Sequence, residues 1–210
     1  MELEPGTTHN LLQRAGRGDE QALQDLLQGH AVRLRRMVRL RLDRRLRARL
    51  DEDDVMQEVL LEATQRMPDY LAHRNMPFFL WLRFLTAQRI AGLHRHHLGV
   101  QQRDARREVR LDPAPVVGAS SAVLAGVLAA RLTTPTQGAA RRELRARLER
   151  ALERMQAGDR EILALRHFEQ LTNAETAREL GLDVSAASKR YARALARLRQ
   201  IIGAWHKTTP

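Results

Sequence analysis

Apolar residues recur every three or four positions along most of the chain, which is the period of an amphipathic α-helix. In the clearest case they follow one another in steps of four from Leu34 to Leu50, so that one narrow stripe is apolar and polar residues cover the rest of the helix. The alternation of β-branched and polar residues that indicates strands is missing. The pattern therefore predicts an all-α protein.

Two helical blocks are separated by a segment of different composition. Helical periodicity fills residues 8–98 and 139–205, whereas residues 99–138 are rich in Pro, Ser, Ala, Thr and Gly. We therefore predict two small helical domains joined by a flexible linker at 99–138. Within this linker, the short apolar stretch 122–132 predicts a helix that docks on a neighbouring element.

Capping and breaking residues predict where the helices of the first block begin and end. Asp19 is placed to cap a helix that Gly29 ends, and an arginine-rich helix follows. Asp51 is placed to cap the next helix, whose first turn carries three more acids that the helix dipole favours. Pro68 is expected to end that helix, because proline lacks an N–H and its ring clashes with the preceding turn.

The second block carries the pattern of a helix-turn-helix. Thr172 and Glu175 have the spacing of a capping box, in which each side chain satisfies a free backbone N–H at the start of a helix. Gly181 then supplies the left-handed conformation of a tight turn, and a second helix follows with an apolar stripe on one side.

The other side of this second helix carries small, polar and basic residues. Such a face suits entry into the major groove, with contacts to base edges and phosphates. A helical hairpin that binds no DNA is the alternative interpretation. The residues that we predict to bind DNA are Ser185, Ala186, Ser188, Lys189, Arg190 and Arg193.

The charge balance favours a polyanionic partner. The chain has 36 Lys and Arg against 25 Asp and Glu, a formal net charge of +11 and an isoelectric point near 11.3. Nine arginines lie between residues 33 and 49, whereas the acids are densest at residues 51–54. We expect these opposite charges on separate surfaces, which would suit two partners of opposite sign. A solvated helix face is the alternative for the arginine run.

A helix expected from about Pro77 to His97 begins with half of the chain's aromatic residues. Basic residues and histidines follow in its second half. Exposed aromatic rings would stack on unpaired bases while the basic residues follow the nucleic-acid backbone. Burial in a hydrophobic core is the alternative, and we expect it at least for Phe78 and Leu82. The aromatic residues concerned are Phe78, Phe79, Trp81 and Phe84.

Several kinds of chemistry have no residues to carry them. The chain has no cysteine, so disulfides, thiol nucleophiles and thiolate metal sites are excluded. His94, His96 and His97 do not converge on one helical face, and no phosphate-binding loop or carboxylate pair emerges. We therefore predict that the protein is not an enzyme and uses no metal, cofactor or small-molecule substrate.

Two features of the sequence bear on localisation. The longest uncharged apolar run, Ala122–Ala130, has nine residues, whereas a membrane-spanning helix needs about 20. The first residues are acidic and lack the basic and then apolar order of a secretory signal. We expect a cytoplasmic protein without a membrane partner.

Three segments, in this order, resemble the sigma factors of bacterial RNA polymerase, in particular their extracytoplasmic-function (ECF) group. The segment "LDEDDVMQEVLLEATQRMPDY" resembles the family's core-polymerase-binding segment, and "PFFLWLRFLTAQRIAGLHRHH" its promoter-melting segment. The segment "DREILALRHFEQLTNAETARELGLDVSAASKRYARALARLRQI" resembles the fourth region. The resemblance implies a transcription initiation factor that binds core RNA polymerase, recognises −10 and −35 promoter elements and assists DNA melting.

The resemblance also implies roles for individual residues. The residues expected against the clamp helices of the polymerase's largest subunit are Asp54, Val55, Gln57, Glu58 and Leu61. Those expected at the −10 element are Trp81, Arg83, Gln88, Arg89, His94, Arg95 and His96. The helix expected to read the −35 element is the one that carries Ser185 to Arg193. An anti-sigma factor is a further partner that the resemblance leaves open.

One departure from the family pattern and two rival functions remain. Many relatives carry Ala-Arg-Asn where this chain has Thr86-Ala87-Gln88, which leaves the −10 base preference open. A stand-alone helix-turn-helix repressor or activator would dimerise through its N-terminal helices and bind a palindrome without polymerase. An RNA-binding protein would use the arginine run between residues 33 and 49.

Overall fold

The computed structural model describes residues 5–47, 49–98, 118–132 and 138–206. Within these residues every regular element is a helix, which confirms the predicted all-α class. The chain divides into two compact units, residues 1–117 and 118–210, and the second contains the predicted helix-turn-helix.

The helices of the first unit pack around one core. They are α1 (Pro5–Ala15), α2 (Glu20–Arg41), α3 (Arg44–Arg47), α4 (Glu52–His73) and α5 (Phe78–Leu98). The long helices α2, α4 and α5 pack on one another, and α1 lies against α2. Leu34 and Val38 of the predicted stripe are fully buried, as are Val59 of α4 and Leu82 of α5. The core therefore holds α4 and α5 side by side.

The predicted break at Gly29 is wrong, because α2 runs through it to Arg41. A glycine inside a helix costs only about 1 kcal/mol relative to alanine. The neighbouring Leu26 and Leu34 are fully buried, and burial of each such side chain stabilises by about 1.5 to 3 kcal/mol. The helix instead ends where Leu42 turns extended and the backbone N–H of Asp43 donates to His94 at 3.1 Å. The predicted cap is confirmed, since Asp19 accepts from the backbone of α2.

The predicted helix end at Pro68 is also wrong, since α4 continues to His73. Proline inside a helix costs about 3 kcal/mol, but Met67 and Tyr70 on either side are buried. The Tyr70 hydroxyl also donates to the carbonyl of Met76 at 3.0 Å. Tertiary contacts thus hold the helix together beyond the break. The predicted cap by Asp51 is confirmed, since its carboxylate accepts from the backbone of Asp53 at 3.0 Å.

The second unit is a smaller helical assembly. It contains α6 (Ser121–Leu132), α7 (Gly138–Glu153), α8 (Ala157–Leu163), α9 (Asn173–Glu179) and α10 (Val184–His206). A π-helical turn, Ala164–Phe168, continues α8. The long helix α10 packs on α7, α8 and α9, so three other helices support it.

The apolar stretch 122–132 forms α6, which packs on α7. Leu124, Ala125 and Ala129 are buried there. This helix belongs to the second compact unit and not to the linker in which we predicted it. Its composition resembles that of the linker, but an apolar stripe needs a partner surface and finds one on α7. Of the rest of that linker, residues 99–117 and 133–137 lie outside the described residues, and Gly138 already begins α7.

None of the helices in the described ranges combines the length and the apolar character that a membrane crossing requires.

Candidate nucleic-acid interface

The helix-turn-helix has the predicted capping geometry. The Thr172 hydroxyl accepts from the backbone of Glu175 at 3.1 Å, and the Glu175 carboxylate accepts from the backbone of Thr172 at 2.8 Å. Gly181 adopts the left-handed conformation, with φ of +63°. The Asp183 side chain then accepts from the backbone of Ala186 at 2.7 Å. These local bonds hold the turn between α9 and α10.

A side-chain bridge joins the starts of α9 and α10. The Asn173 amide nitrogen donates to the carbonyl of Val184 at 3.0 Å and to the Ser188 hydroxyl at 2.8 Å. Ala177 and Ala187 are buried, so little side-chain bulk separates the two helices. The position of the first two turns of α10 is therefore determined by α9 as well as by its own cap.

The exposed face of α10 contains most of the predicted DNA-binding residues. Ser185, Ser188, Lys189 and Arg193 are exposed, while Ala186 and Arg190 are half-buried. The structure thus brings these residues onto one surface at the amino-terminal end of α10. In helix-turn-helix proteins this end of the second helix contacts base edges.

A groove of about 490 Å³ runs between the start of α8 and this face of α10. The guanidinium of Arg190 lies directly against the backbone of Gly158, where a side chain would overlap it. Arg197 donates to the carboxylate of Asp159 at 2.9 Å. Together with Arg193, these arginines make the groove basic. Contacts with α8 therefore position two arginines of α10, a role for Gly158 and Asp159 that we did not predict.

An exposed face of α4 carries four of the five residues that are expected to contact core polymerase. Asp54, Gln57, Glu58 and Leu61 are exposed and follow the spacing of a single helical face. Leu61 is 59% exposed, which makes it one of the most exposed large apolar residues of the described chain. Val55 is only 2% exposed, because its position on the helix faces the core. The structure therefore does not bring Val55 onto this surface.

The arginine run and the acidic cluster adjoin one another, so the prediction of separate charged surfaces is wrong. Arg35 pairs with Asp53 at 3.0 Å, and Arg39 pairs with Glu52 at 3.1 Å. The reason is topological, since α2 and α4 pack side by side. Arg33 is buried instead, with its guanidinium 3.4 Å from the centre of the Phe79 ring. Part of the positive charge of this run is thus used inside the protein.

The expected exposed aromatic surface on α5 is wrong for Phe79 and Trp81, whereas the expected burial of Phe78 and Leu82 is confirmed. Phe78, Phe79 and Trp81 are buried, and only Phe84 is half-buried. Trp81 is 8% exposed and stacks on Tyr70 of α4 with ring centres 4.7 Å apart. These rings pack between α4 and α5, which is the core alternative.

Two more residues expected at the −10 element, Arg83 and His94, are buried or half-buried in the first unit. Arg83 is 1% exposed. The half-buried His94 accepts the backbone N–H of Asp43 through Nε2. Burial lowers the pKa of His94 below its usual range; Arg45 acts in the same direction, and Asp43 opposes both. Arg83 and His94 therefore present no free charge at the surface of α5.

The rest of the expected −10 set lies along one accessible side of α5. Arg95 and His96 are exposed, and Gln88 and Arg89 are half-buried. Arg89 forms an ion pair with Glu58 of α4. The α5 surface thus lies directly beside the exposed α4 face.

Comparison with known proteins places the chain in a family. The family "Sigma-70, region 4" matches residues 145–198, which include the helix-turn-helix. The ECF RNA polymerase sigma factor SigD of Mycobacterium tuberculosis is 31% identical over 185 residues, which cover 88% of this chain and 79% of SigD. SigD of Mycobacterium bovis matches with the same figures. This chain belongs to the ECF sigma factors of RNA polymerase.

A solved structure supports the same assignment. The structure of CnrH in complex with the cytosolic domain of CnrY superposes on this ECF sigma factor with a TM-score of 0.55 and 25% sequence identity. The match covers 94% of this chain and 98% of CnrH. The resemblance stated from the sequence is thus confirmed. A role in transcription initiation follows from it, and the stand-alone repressor or activator is not favoured.

Sequence reasoning missed residues of this sigma factor that act on other side chains. Asn173 gave one usable signal, since it directly follows the capping Thr172 at the start of α9. The Glu58–Arg89 pair and the contact of Gly158 with Arg190 gave none, because each joins positions more than 30 residues apart. Among the described residues, no cluster of acids and histidines is arranged to hold a metal ion.

Proposed function

We propose that this chain directs core RNA polymerase to promoters by reading a −35 element with α10 and a −10 element with the accessible side of α5, while α4 docks on the polymerase. The observation that carries the proposal is the exposed, basic face at the start of α10. It is held by the Asp183 cap and the Asn173 bridge. Initiation in this scheme proceeds by binding, and the protein itself makes or breaks no bond.

The −35 reader combines small and long side chains in a useful order. Ser185 and Ser188 are short enough for the helix end to approach base edges closely, and Lys189 extends beyond them. Arg193 follows one turn later and reaches phosphates. Arg190 and Arg197, which line the same groove, reach phosphates as well. Bases and backbone are thus contacted from one helix.

The polymerase-binding surface combines charge with one apolar side chain. Asp54 and Glu58 provide the carboxylates and Gln57 a neutral polar group between them. Leu61 supplies exposed apolar area, which contributes to protein interfaces when it is covered. We propose that this face meets a basic surface of the polymerase clamp, while Val55 supports it from inside.

The −10 contacts are proposed for the accessible side of α5. Gln88 and Arg89 approach base edges and phosphates, and Arg95 and His96 follow the backbone farther along the helix. Trp81, Arg83 and His94 support α5 from below in this proposal. Opened bases are held at the cost of unstacking them, about a few kcal/mol per base. Because the −10 and −35 readers are in one chain, each raises the effective concentration of the other.

We extend the proposal to an anti-sigma partner. CnrH, to which the chain is similar, was solved with the cytosolic domain of CnrY bound. A partner of this kind would have to cover α4 or α10 in order to block initiation. A purified protein that binds the full chain and displaces it from core polymerase in a two-component titration would be that partner.

The decisive experiment is run-off transcription with purified chain and core polymerase on a library of genomic fragments, compared with core alone. We expect a defined set of start sites that share two upstream elements. A chain that adds no selective start site, yet binds a palindromic duplex tightly without polymerase, would contradict the proposal and favour a stand-alone regulator.

A further inference from the structure

The side chain of Asn173 has only one orientation that satisfies its neighbours. It faces the carbonyl of Val184 at 3.0 Å. A carbonyl oxygen only accepts hydrogen bonds, so the amide nitrogen of Asn173 must be the atom that faces it. The same nitrogen donates to the Ser188 hydroxyl at 2.8 Å. The direction of both hydrogen bonds is thereby determined.

These two bonds occupy the carbonyl that most often accepts a serine proton inside a helix, and within the described residues the Ser188 hydroxyl donates no hydrogen bond. A serine in a helix often donates its hydroxyl proton to the carbonyl four residues earlier, which here belongs to Val184. That carbonyl already accepts the side chain of Asn173 and, as in any α-helix, the backbone N–H of Ser188. A carbonyl oxygen has two lone pairs, so both are used.

We infer that Asn173 turns Ser188 into an outward-facing hydrogen-bond donor and thereby selects the base that Ser188 contacts. The inference rests on the proposed reading of the −35 element by α10. Ser188 is exposed on the second turn of this helix, where side chains reach base edges. A donor there fits guanine N7 or O6, adenine N7 or thymine O4, and it disfavours cytosine, which presents an amino donor in the major groove. Asn173 is a positioning residue, since it acts through Ser188.

The first test uses the holoenzyme formed from the full chain and core polymerase, with a −35 duplex selected from a randomised library. Analogues that lack one major-groove acceptor, namely 7-deazaguanine, 7-deazaadenine and a thymine without O4, are placed in turn at each matching base. At the base that Ser188 faces, we expect the wild type to lose about three- to tenfold in affinity, as for one neutral hydrogen bond. Ser188→Ala should show no loss at that base.

The second test reverses the direction of the contact with Asn173→Asp. A carboxylate only accepts hydrogen bonds, so Ser188 would donate its proton to residue 173 and turn a lone pair outward. The base selected at this position should then change to one with an amino donor, most clearly cytosine. An acidic residue is favoured in the first turn of a helix, so α9 should be retained. Asn173→Ala should only weaken the preference.

Ser185→Ala provides the matched control, because Ser185 is an exposed serine of the same helix that makes no hydrogen bond to Asn173 in the described part of the chain. Its effect on base preference should be the same whether position 173 is Asn or Asp. An unchanged preference in Asn173→Asp would overturn the inference, as would equal losses from the analogues in the wild type and Ser188→Ala. If Lys189→Ala still weakens the selected −35 duplex, the proposed function stands and only this inference fails.

Discussion

Arg89 on α5 forms an ion pair with Glu58 on α4, and the pair joins two surfaces to which different partners are assigned. Glu58 lies on the exposed face proposed for core polymerase, whereas Arg89 lies among the residues proposed for the −10 element. In the free chain the two side chains are therefore paired with each other. If core polymerase draws Glu58 into its own contacts, as we propose, Arg89 becomes available to DNA.

Glu58→Gln should raise the affinity of the core-free chain for a single-stranded −10 oligonucleotide by up to about fivefold, because exposed ion pairs are worth about 0 to 1 kcal/mol. Fluorescence anisotropy at fixed salt measures this directly. Glu62→Gln is the matched control, since it changes the charge equally and removes an exposed pair with Arg66 on the same helix. Equal gains in both variants would indicate a general charge effect instead of coupling through Arg89.

Lys189→Ala and Arg193→Ala should each weaken binding of the −35 duplex. A base-directed side chain costs about 1 to 3 kcal/mol and relaxes specificity at one position, whereas a phosphate-directed one lowers the salt slope by about one. Titrations of the holoenzyme at several salt concentrations, with matched and mismatched duplexes, separate the two roles. If neither affinity nor slope changes, these residues do not belong to the interface.

Gly158→Ala should displace the guanidinium of Arg190, against which the glycine backbone packs. The flexible end of an arginine can move, so we expect the free energy of unfolding to change by less than about 1 kcal/mol. Affinity for the −35 duplex should fall about three- to tenfold through the lost phosphate contact. In an Arg190→Ala background, Gly158→Ala should have no further effect on DNA binding. Gly126→Ala, where a side chain only touches Arg145, is the control.

The hydrogen bond that the half-buried His94 accepts should make the first unit sensitive to pH. Nε2 accepts the N–H of Asp43 only while it is unprotonated. Because burial lowers the folded-state pKa below 6.5, the unfolded chain binds this proton more tightly. The free energy of unfolding should therefore decrease as pH falls below about 6.5 toward the lowered pKa. Above about 6.5 the contribution of His94 to stability should be fully present.

Urea unfolding measured between about pH 8 and about pH 5 reports this component. The variant His94→Gln should lose it, whereas His96→Gln, at an exposed position of the same helix, should retain it. Asp19 and Asp43 have lowered pKa values, so their contributions are lost only below 3.8, in a separate window. Identical pH slopes in the two histidine variants would contradict the assignment to His94.

Val55→Ala and Leu61→Ala should separate stability from polymerase binding on α4. Val55 is buried, so removing its methyl groups should cost about 1.5 to 3 kcal/mol in the free energy of unfolding. Leu61 is exposed, so Leu61→Ala should cost about 0.5 kcal/mol at most. Core binding should weaken for Leu61→Ala at a temperature where both variants are folded. The opposite pattern would exclude Leu61 from the interface.

Local patterns predicted much of the fold. The caps at Asp19, Asp51 and Thr172 lie where expected, because a cap depends on residues within one helical turn. The breaks expected at Gly29 and Pro68 failed for the opposite reason. Their local costs are outweighed by burial of neighbouring side chains against other helices, and no short segment contains that information.

The residues of the candidate sites were likewise predicted correctly only where their placement depends on neighbours along one helix. Spacing along one helix was enough to group Asp54, Glu58 and Leu61 on one exposed face. It did not reveal that Trp81 would stack on Tyr70 or that Arg83 would be buried. An aromatic or arginine residue has the same local signature inside a core and on a surface.

By itself the sequence determined the helical class, the helix-turn-helix and the family, because periodicity, capping and turn chemistry are properties of neighbouring residues. Only the tertiary structure decided which charged groups are available to partners. It pairs Arg35 with Asp53 and Arg89 with Glu58, and it aims the Ser188 hydroxyl through Asn173. These relationships join positions from 15 to 31 residues apart, and they arise only when packed helices bring the side chains together.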